Sequence, residues 1–304
     1  MSKPTQDTRE SFIARIGKLT RSATSLRARI RNGMRGEQDT VEVQPRAAAP
    51  IKITRVSRAP EGQCIYAIGD IHGRKDLLEQ LIAQIEEDAS ALPAGTAKVI
   101  VFLGDYIDRG LQSRDVIDLL ISDRLSAFER VFLMGNHEEA LLRFLNDATF
   151  GKNWVRYGGA ETLYSYGFAP PNTRAALNSH EAMEAAQRAW DRVWTEFRLK
   201  LPTEHLKFYQ SLQHYFVAGD YLFVHAGLRP DIPLERQTVR DMLWIRDEFL
   251  DASQSFDQVV VHGHTPGDDI FRDNRRIGLD TGAFISGKLS AVRLVGDEVS
   301  FLTT

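Results

Sequence analysis

Five short segments of this 304-residue sequence set Asp, His or Asn beside glycine: GDIHG (69–73), GDYIDRG (104–110), GNHE (135–138), HAG (225–227) and HGHTP (262–266). Each follows an apolar run: CIYAI, VIVFL, VFLM, YLFV and QVVV. Singly, an Asp in such a place is an ordinary helix cap or Asx turn. A single His in an apolar run, such as His225, is ordinarily a packed core residue. Five in order are another matter, because ligands of an open α/β sheet bind beyond the carboxyl ends of its strands. Carboxylates and imidazoles gathered there repel or go unsatisfied unless cations lie among them. About six N/O donors without a thiolate suit Mn, Fe, Zn, Mg or Co rather than a structural zinc site. Two such ions about 3.5–4 Å apart need a shared carboxylate, an arrangement used by hydrolases. Glycine lets the backbone turn sharply and lets metal and phosphate approach. His262 carries a weaker case than His264.

The elements that must position these loops alternate. CIYAI (64–68), VIVFL (99–103) and VFLM (131–134) read as strands. Residues 76–87, 113–120 (with a serine at its start) and 138–145 read as the helices that follow them. Strand, loop and helix three times over predict an α/β fold with a parallel sheet. Residues 146–215 read as a mostly helical insertion, with a long run over 182–199 and another opened by Pro202 and Thr203. Residues 214–227 read as a hairpin turning at Gly219-Asp220. Residues 258–262, 276–280, 289–295 and 298–302 read as further strands, the C-terminal ones suggesting a second, antiparallel-leaning sheet.

Composition is that of a globular protein, 43% hydrophobic and 26% charged, with a net charge of −3. That balance gives no reason to expect nucleic acid as a partner. The single Cys64 excludes an internal disulfide framework, fits a reducing, cytoplasmic setting, and reads as a small buried hydrophobe. The charge is uneven: residues 1–58 carry 13 Lys+Arg against 5 Asp+Glu. Within residues 11–35 apolar side chains recur at helical spacing among arginines. Two readings stay open: a helix peripheral to an anionic membrane or gripping an acidic partner, and a basic tail without fixed structure. Residues 36–60 read as a linker, so a 1–60 arm precedes a 61–304 catalytic domain.

The ordered set GDIHG, GDYIDRG, GNHE, HAG and GHT closely resembles the calcineurin-like metallophosphoesterases. Within them it resembles the compact bacterial and phage PPP-type serine/threonine protein phosphatases, over about residues 64–295. The resemblance implies a four-layer α/β/β/α sandwich with two metals at its rim, most readily Mn. Asp70, His72 and Asp105 would hold one metal. Asp105 would bridge to the second, completed by Asn136, His225 and His264. A hydroxide bridging the metals would attack phosphorus directly, without a phosphoenzyme. His137 would be the general acid, oriented by Asp108, and Arg109 would clamp phosphate. Arg246 lies where the family places a second arginine. The family often has an arginine before GNHE, and here that residue is Met134.

These features leave three readings in order. The first is a phosphoprotein phosphatase acting on phosphoserine and phosphothreonine. The second is a dinucleoside polyphosphate hydrolase, similar to the symmetrical diadenosine tetraphosphate hydrolases, acting on a phosphorylated small molecule. Its base site would need aromatics at the crevice, for which Trp154 and Tyr157 in NWVRYGG (153–159) are candidates. The third is a non-catalytic scaffold, which should have lost some of the metal loops, and none is lost.

Overall fold

The computed structural model describes residues 56–172, 180–254 and 256–304. The basic segment 11–35 and most of the expected linker lie outside them.

Two five-stranded sheets organise the described chain. The first has strand order β10-β9-β1-β2-β3, built from β1 (Gln63–Ile68), β2 (Ala97–Phe102), β3 (Glu129–Phe132), β9 (Ser290–Val295) and β10 (Glu298–Thr303). β1, β2 and β3 run parallel, and β9 and β10 extend the sheet antiparallel from β1. The second has order β4-β5-β6-β8-β7, from β4 (Tyr215–Ala218), β5 (Tyr221–Val224), β6 (Val259–His262), β7 (Phe271–Arg272) and β8 (Arg276–Gly278). Two expectations need correcting. The last two strands join the first sheet, and the second sheet is mixed, with β5, β6 and β8 parallel. Strand partners distant in sequence cannot be read from local pattern, since alternation fixes a strand's faces but not its neighbour.

Strand composition explains the layering. β1 and β2 are nearly continuous apolar runs because both faces are covered. Ile65, Ala67, Val99, Val101 and Val131 turn toward Phe223, Val261, Ile277 and Leu279 of the second sheet. On the opposite face, Tyr66, Ile68, Ile100 and Phe102 meet helices α1 (Lys75–Ser90), α2 (Ser113–Ile121) and α3 (Asn136–Asn146). α1 buries Leu77, Leu78, Leu81, Ile82 and Ile85, the stripe its spacing predicts. Each such aliphatic side chain contributes about 1.5–3 kcal/mol when fully buried. Leu222, Val224 and Val260 on the outer face of the second sheet meet Met242, Ile245 and Phe249. The result is an α/β/β/α sandwich.

Between β3 and β4 the described chain is helical, including α4 (Gly159–Ser165), α5 (His180–Lys200) and α6 (Thr203–Ser211). It packs through Trp154, Leu163, Trp190 and Phe197 onto Phe144 of α3. The 214–227 hairpin turns at Gly219, at φ +57°. Cys64 is wholly buried.

Candidate metal centre

All five loops meet where the parallel strands end. β1 delivers Asp70 and His72, β2 delivers Asp105, Asp108 and Arg109, and β3 delivers Asn136 and His137 at the first turn of α3. β5 delivers His225, and β6 delivers His264. Asp70, His72, Asp105, Asp108, Asn136, His137, His225 and His264 are all buried. Close gathering of this kind bends the backbone. Of six non-glycine residues with positive φ among the described ones, His72, Asp105, Asp108, Arg109 and His264 belong to these loops. Each such residue costs about 1–2 kcal/mol, which the surrounding contacts must offset. Glycine is obligatory beside them: a Cβ on Gly135 would collide with the Asp105 carboxylate, and one on Gly263 with that of Asp70.

Two clusters emerge around one carboxylate. Ligand atoms of His72, Asp105 and His137 lie within 4.8 Å of one another, as do those of Asp105, His225 and His264. Asp105 belongs to both. Its Oδ2 lies 3.6 Å from His72 Nε2, and its Oδ1 lies 3.4 Å from His225 Nε2. Asn136 Oδ1 lies 2.9 Å from His225 Nε2 and 2.8 Å from His264 Nδ1. Asp70 stands beside these clusters, its carboxylate accepting from the backbone N–H of His264 at 3.0 Å.

The donor set fits divalent cations on its own chemistry. His72 Nδ1 faces the Ile107 carbonyl at 3.0 Å, and His225 Nδ1 faces that of Leu103 at 2.8 Å. Each bond places the proton on Nδ1 and leaves a lone pair on Nε2. Those lone pairs then face the oxygens of Asp105 and Asn136, acceptor against acceptor, which a cation resolves. Burial, followed by the charge of His137, holds His72 well below the ordinary imidazole value. Burial also lowers His225, and burial with His225 alongside pushes His264 to about 2. Burial thus favours the neutral, ligating form of all three. Burial opposes ionisation of Asp105, yet His225, His137 and His72 hold its carboxyl well below its usual range. Burial, Asp280 and Asp105 push Asp70 well above its own. That crowding of acids is what bound cations relieve. His264 Nε2 is buried with no hydrogen-bond partner.

The remaining expected residues line the same centre. His137 Nδ1 bonds to Asp108 Oδ2 at 2.7 Å, and its Nε2 faces Arg109 at 3.3 Å and Asp105 at 3.8 Å. Burial opposes its charged form, but Asp105 and hydrogen-bonded Asp108 outweigh burial and hold its pKa above the ordinary value. Arg109 lies over the Phe284 ring at 4.7 Å. Arg246 is exposed, and its guanidinium donates to Thr265 Oγ1 at 3.1 Å beside His264. His262 faces away, held by Arg276 at 3.0 Å and by the Gly263 carbonyl.

Sequence reasoning missed several supporting residues. Glu138, the last letter of GNHE, is fully buried and accepts from the backbone N–H groups of Asp105, Tyr106, Ile107 and Gly135 at 2.9–3.3 Å. It is the pin that shapes the GDYIDRG loop. Its signal was a capping-box glutamate at the third position of a helix. Asp280 follows a short strand run and precedes Thr-Gly, the same pattern as the other loops, and its carboxyl bonds that of Asp70. Ser113 does not cap α2; its hydroxyl accepts from the Asp108 N–H at 3.1 Å. Trp154 is wholly buried, stacks on Phe144, and donates its indole N–H to Asp108 Oδ2 at 3.0 Å. It therefore offers no face to a ligand. Tyr157 stays 43% exposed.

Known proteins place this architecture. A protein of Anoxybacillus flavithermus named bis(5'-nucleosyl)-tetraphosphatase PrpE (asymmetrical) is 28% identical over 246 residues, covering 74% of this chain and 88% of that one. A Bacillus subtilis protein of the same name is 24% identical over 245 residues, with the same two coverages of 74% and 88%. A crystal structure of a protein provisionally described as a diadenosine tetraphosphatase superposes with TM-score 0.51 at 20% identity, covering 83% of this chain and 96% of that one, a likeness of fold. Residues 65–289 match the calcineurin-like phosphoesterase family. That match spans most of the chain, and with the two His/Asp clusters it makes this protein a metal-dependent phosphoesterase belonging to the calcineurin-like family.

Proposed function

We propose that this chain hydrolyses dinucleoside polyphosphates of the diadenosine tetraphosphate type. The observation that carries this reading is that the matched relatives bear a bis(5'-nucleosyl)-tetraphosphatase name and are covered over 88% of their length. The sequence-led preference for phosphoserine and phosphothreonine rested on GDYIDRG and GNHE, which do not exclude a nucleotide. The relatives' name also specifies the asymmetrical type rather than the symmetrical one first considered.

In this reading Asp70, His72 and Asp105 hold one divalent cation, and Asp105, Asn136, His225 and His264 hold the other, with Mn the first choice. When bound, such ions polarise phosphoryl oxygens and lower the pKa of water toward neutrality. The chain's own residues do the rest. His137 has Nδ1 committed to Asp108 and turns Nε2 toward the centre, beside Arg109 and Asp105; in its charged form that Nε2 would offer a proton to the leaving oxygen. Asp108 is fixed in turn by Trp154 and by Thr162 Oγ1 at 2.6 Å. Arg109 presents a planar fork for a phosphate oxygen, and Arg246 guards the opposite rim.

The test is kcat/KM for diadenosine tetraphosphate and for a phosphothreonine peptide, measured in parallel with manganese. The reading expects the nucleotide to be favoured by a wide margin, with two unequal nucleotide products. A peptide preference would return the assignment to a protein phosphatase, and equal halves would return it to the symmetrical type.

A further inference from the structure

Beyond His264 the rim carries an aromatic pair that takes no part in the metal centre. Trp244 ends helix α7 (Val239–Trp244), and its ring centroid lies 6.3 Å from that of His264 at 80°. Its indole N–H donates to Glu139 Oε2 at 2.7 Å, so the ring is held in one orientation by the helix that carries His137. Tyr157 meets it edge to face, centroids 5.9 Å apart at 63°. Tyr157 is fixed from below. Gly158 has φ +107°, a Cβ there would collide with Arg109, and the Arg109 N–H donates to the Gly158 carbonyl at 3.1 Å. The phosphate-facing loop and the Tyr157 loop are thereby clipped together. Arg156 and Arg246, both exposed, flank the two rings in sequence.

A single exposed tyrosine needs no explanation. A tyrosine clipped to the Arg109 loop, 43% exposed, paired edge to face with a half-buried, pinned tryptophan against a site imidazole, sets aromatic surface at the edge of the metal centre. Base–aromatic stacking suits such faces, since every base has a π-face. We propose that Tyr157 and Trp244 form a nucleobase platform, taking the ring system of a purine nucleotide while its phosphate enters between Arg109 and Arg246. This rests on the nucleotide reading above and deepens it. Two rings give a purine enough area; a protein substrate would leave them mostly uncovered.

The platform is tested by affinity, apart from turnover. Binding of adenosine 5'-monophosphate and of ribose 5-phosphate to the manganese-loaded full chain is measured by titration calorimetry. The wild-type chain should bind the base-bearing ligand about tenfold more tightly. Tyr157→Ala and Tyr157→Leu should bring that ratio close to one, and Tyr157→Phe should keep it. Leu retains volume without a π-face, so a loss confined to Ala would mean packing rather than stacking and would overturn the proposal. Equal wild-type affinities, or a ratio untouched in both variants, would overturn it too. If the ratio behaves as expected but diadenosine tetraphosphate is not hydrolysed, the reaction assignment fails and the platform stands.

Discussion

The two halves of the centre are built to different standards of rigidity. On the first sheet, the 104–110 loop holds three non-glycine residues at positive φ, Asp105, Asp108 and Arg109. Glu138 gathers its backbone N–H groups, and Ser113, Thr162 and Trp154 fix Asp108. On the second sheet, His225 is held by the Leu103 carbonyl and by Asn136, and His264 faces Asn136 through Nδ1 while its Nε2 has no partner. Arg246 is held by a single side-chain bond to Thr265. Backbone strain is concentrated in the loop that carries Asp105, Asp108 and Arg109. The looser half needs only to supply imidazole lone pairs, which a bound cation can align. Substrate variety should therefore be accommodated on the second half, and chemistry should be lost by damage to the first.

Substitutions in each half can break this comparison. The largest effect is expected from Asp105→Asn, which removes the carboxylate common to both clusters. It should lower kcat/KM by about 10³-fold or more, since the ions it holds contribute several kcal/mol of charge stabilisation. Next comes His137→Asn, expected to slow turnover by about 10²–10⁴ on a phosphomonoester with a poor leaving group. On a phosphoanhydride the drop should be smaller, because the departing phosphate oxygen has a second pKa of only about 6 and needs less help from an acid. Equal losses of turnover on both substrates would argue that His137 stabilises the transition state without protonating the leaving oxygen. Glu138→Gln should destabilise the fold by about 1–3 kcal/mol in urea, because one of the two oxygens that accept backbone N–H groups becomes a donor facing them, with kcat falling alongside. The smallest effect is expected from Arg246→Ala: a rise in KM of about tenfold, the loss of one exposed charged contact, with stability unchanged within about 0.5 kcal/mol. A collapse in stability from that change would show the second half to be as tightly built as the first.

Legibility in the sequence followed the same division. Strands β1 and β2 were visible because apolar runs buried on both faces end abruptly in Gly-Asp, and β3 because its apolar end runs into Gly-Asn and a helix. Asp70, His72, Asp105, Asn136, His225 and His264, the ligands that the family resemblance implied, gather in one place with His137, Asp108 and Arg109; His72, Asp105, His137, His225 and His264 form the two clusters, and Asp70 turns onto the His264 backbone. What stayed hidden depends on contacts between distant segments. The pairing of β9 with β1 joins residues more than 200 positions apart, and no local pattern encodes it. Asp280 looked like the end of one more strand until Asp70 was placed against it. Trp154 was weighed for a ligand face, yet its burial and its bond to Asp108 make it a support of the Asp108–His137 pair. The partnership of Tyr157 with Trp244 crosses 87 positions and was invisible for the same reason.

The central claim is that one carboxylate joins two cation sites across the two sheets. Manganese titration of the metal-stripped full chain, wild type and Asp105→Asn, followed by calorimetry, tests it most directly. The account predicts two ions per wild-type chain and marked weakening of both sites in the variant. A single ion in the wild type, or two ions bound with undiminished affinity by Asp105→Asn, would contradict it.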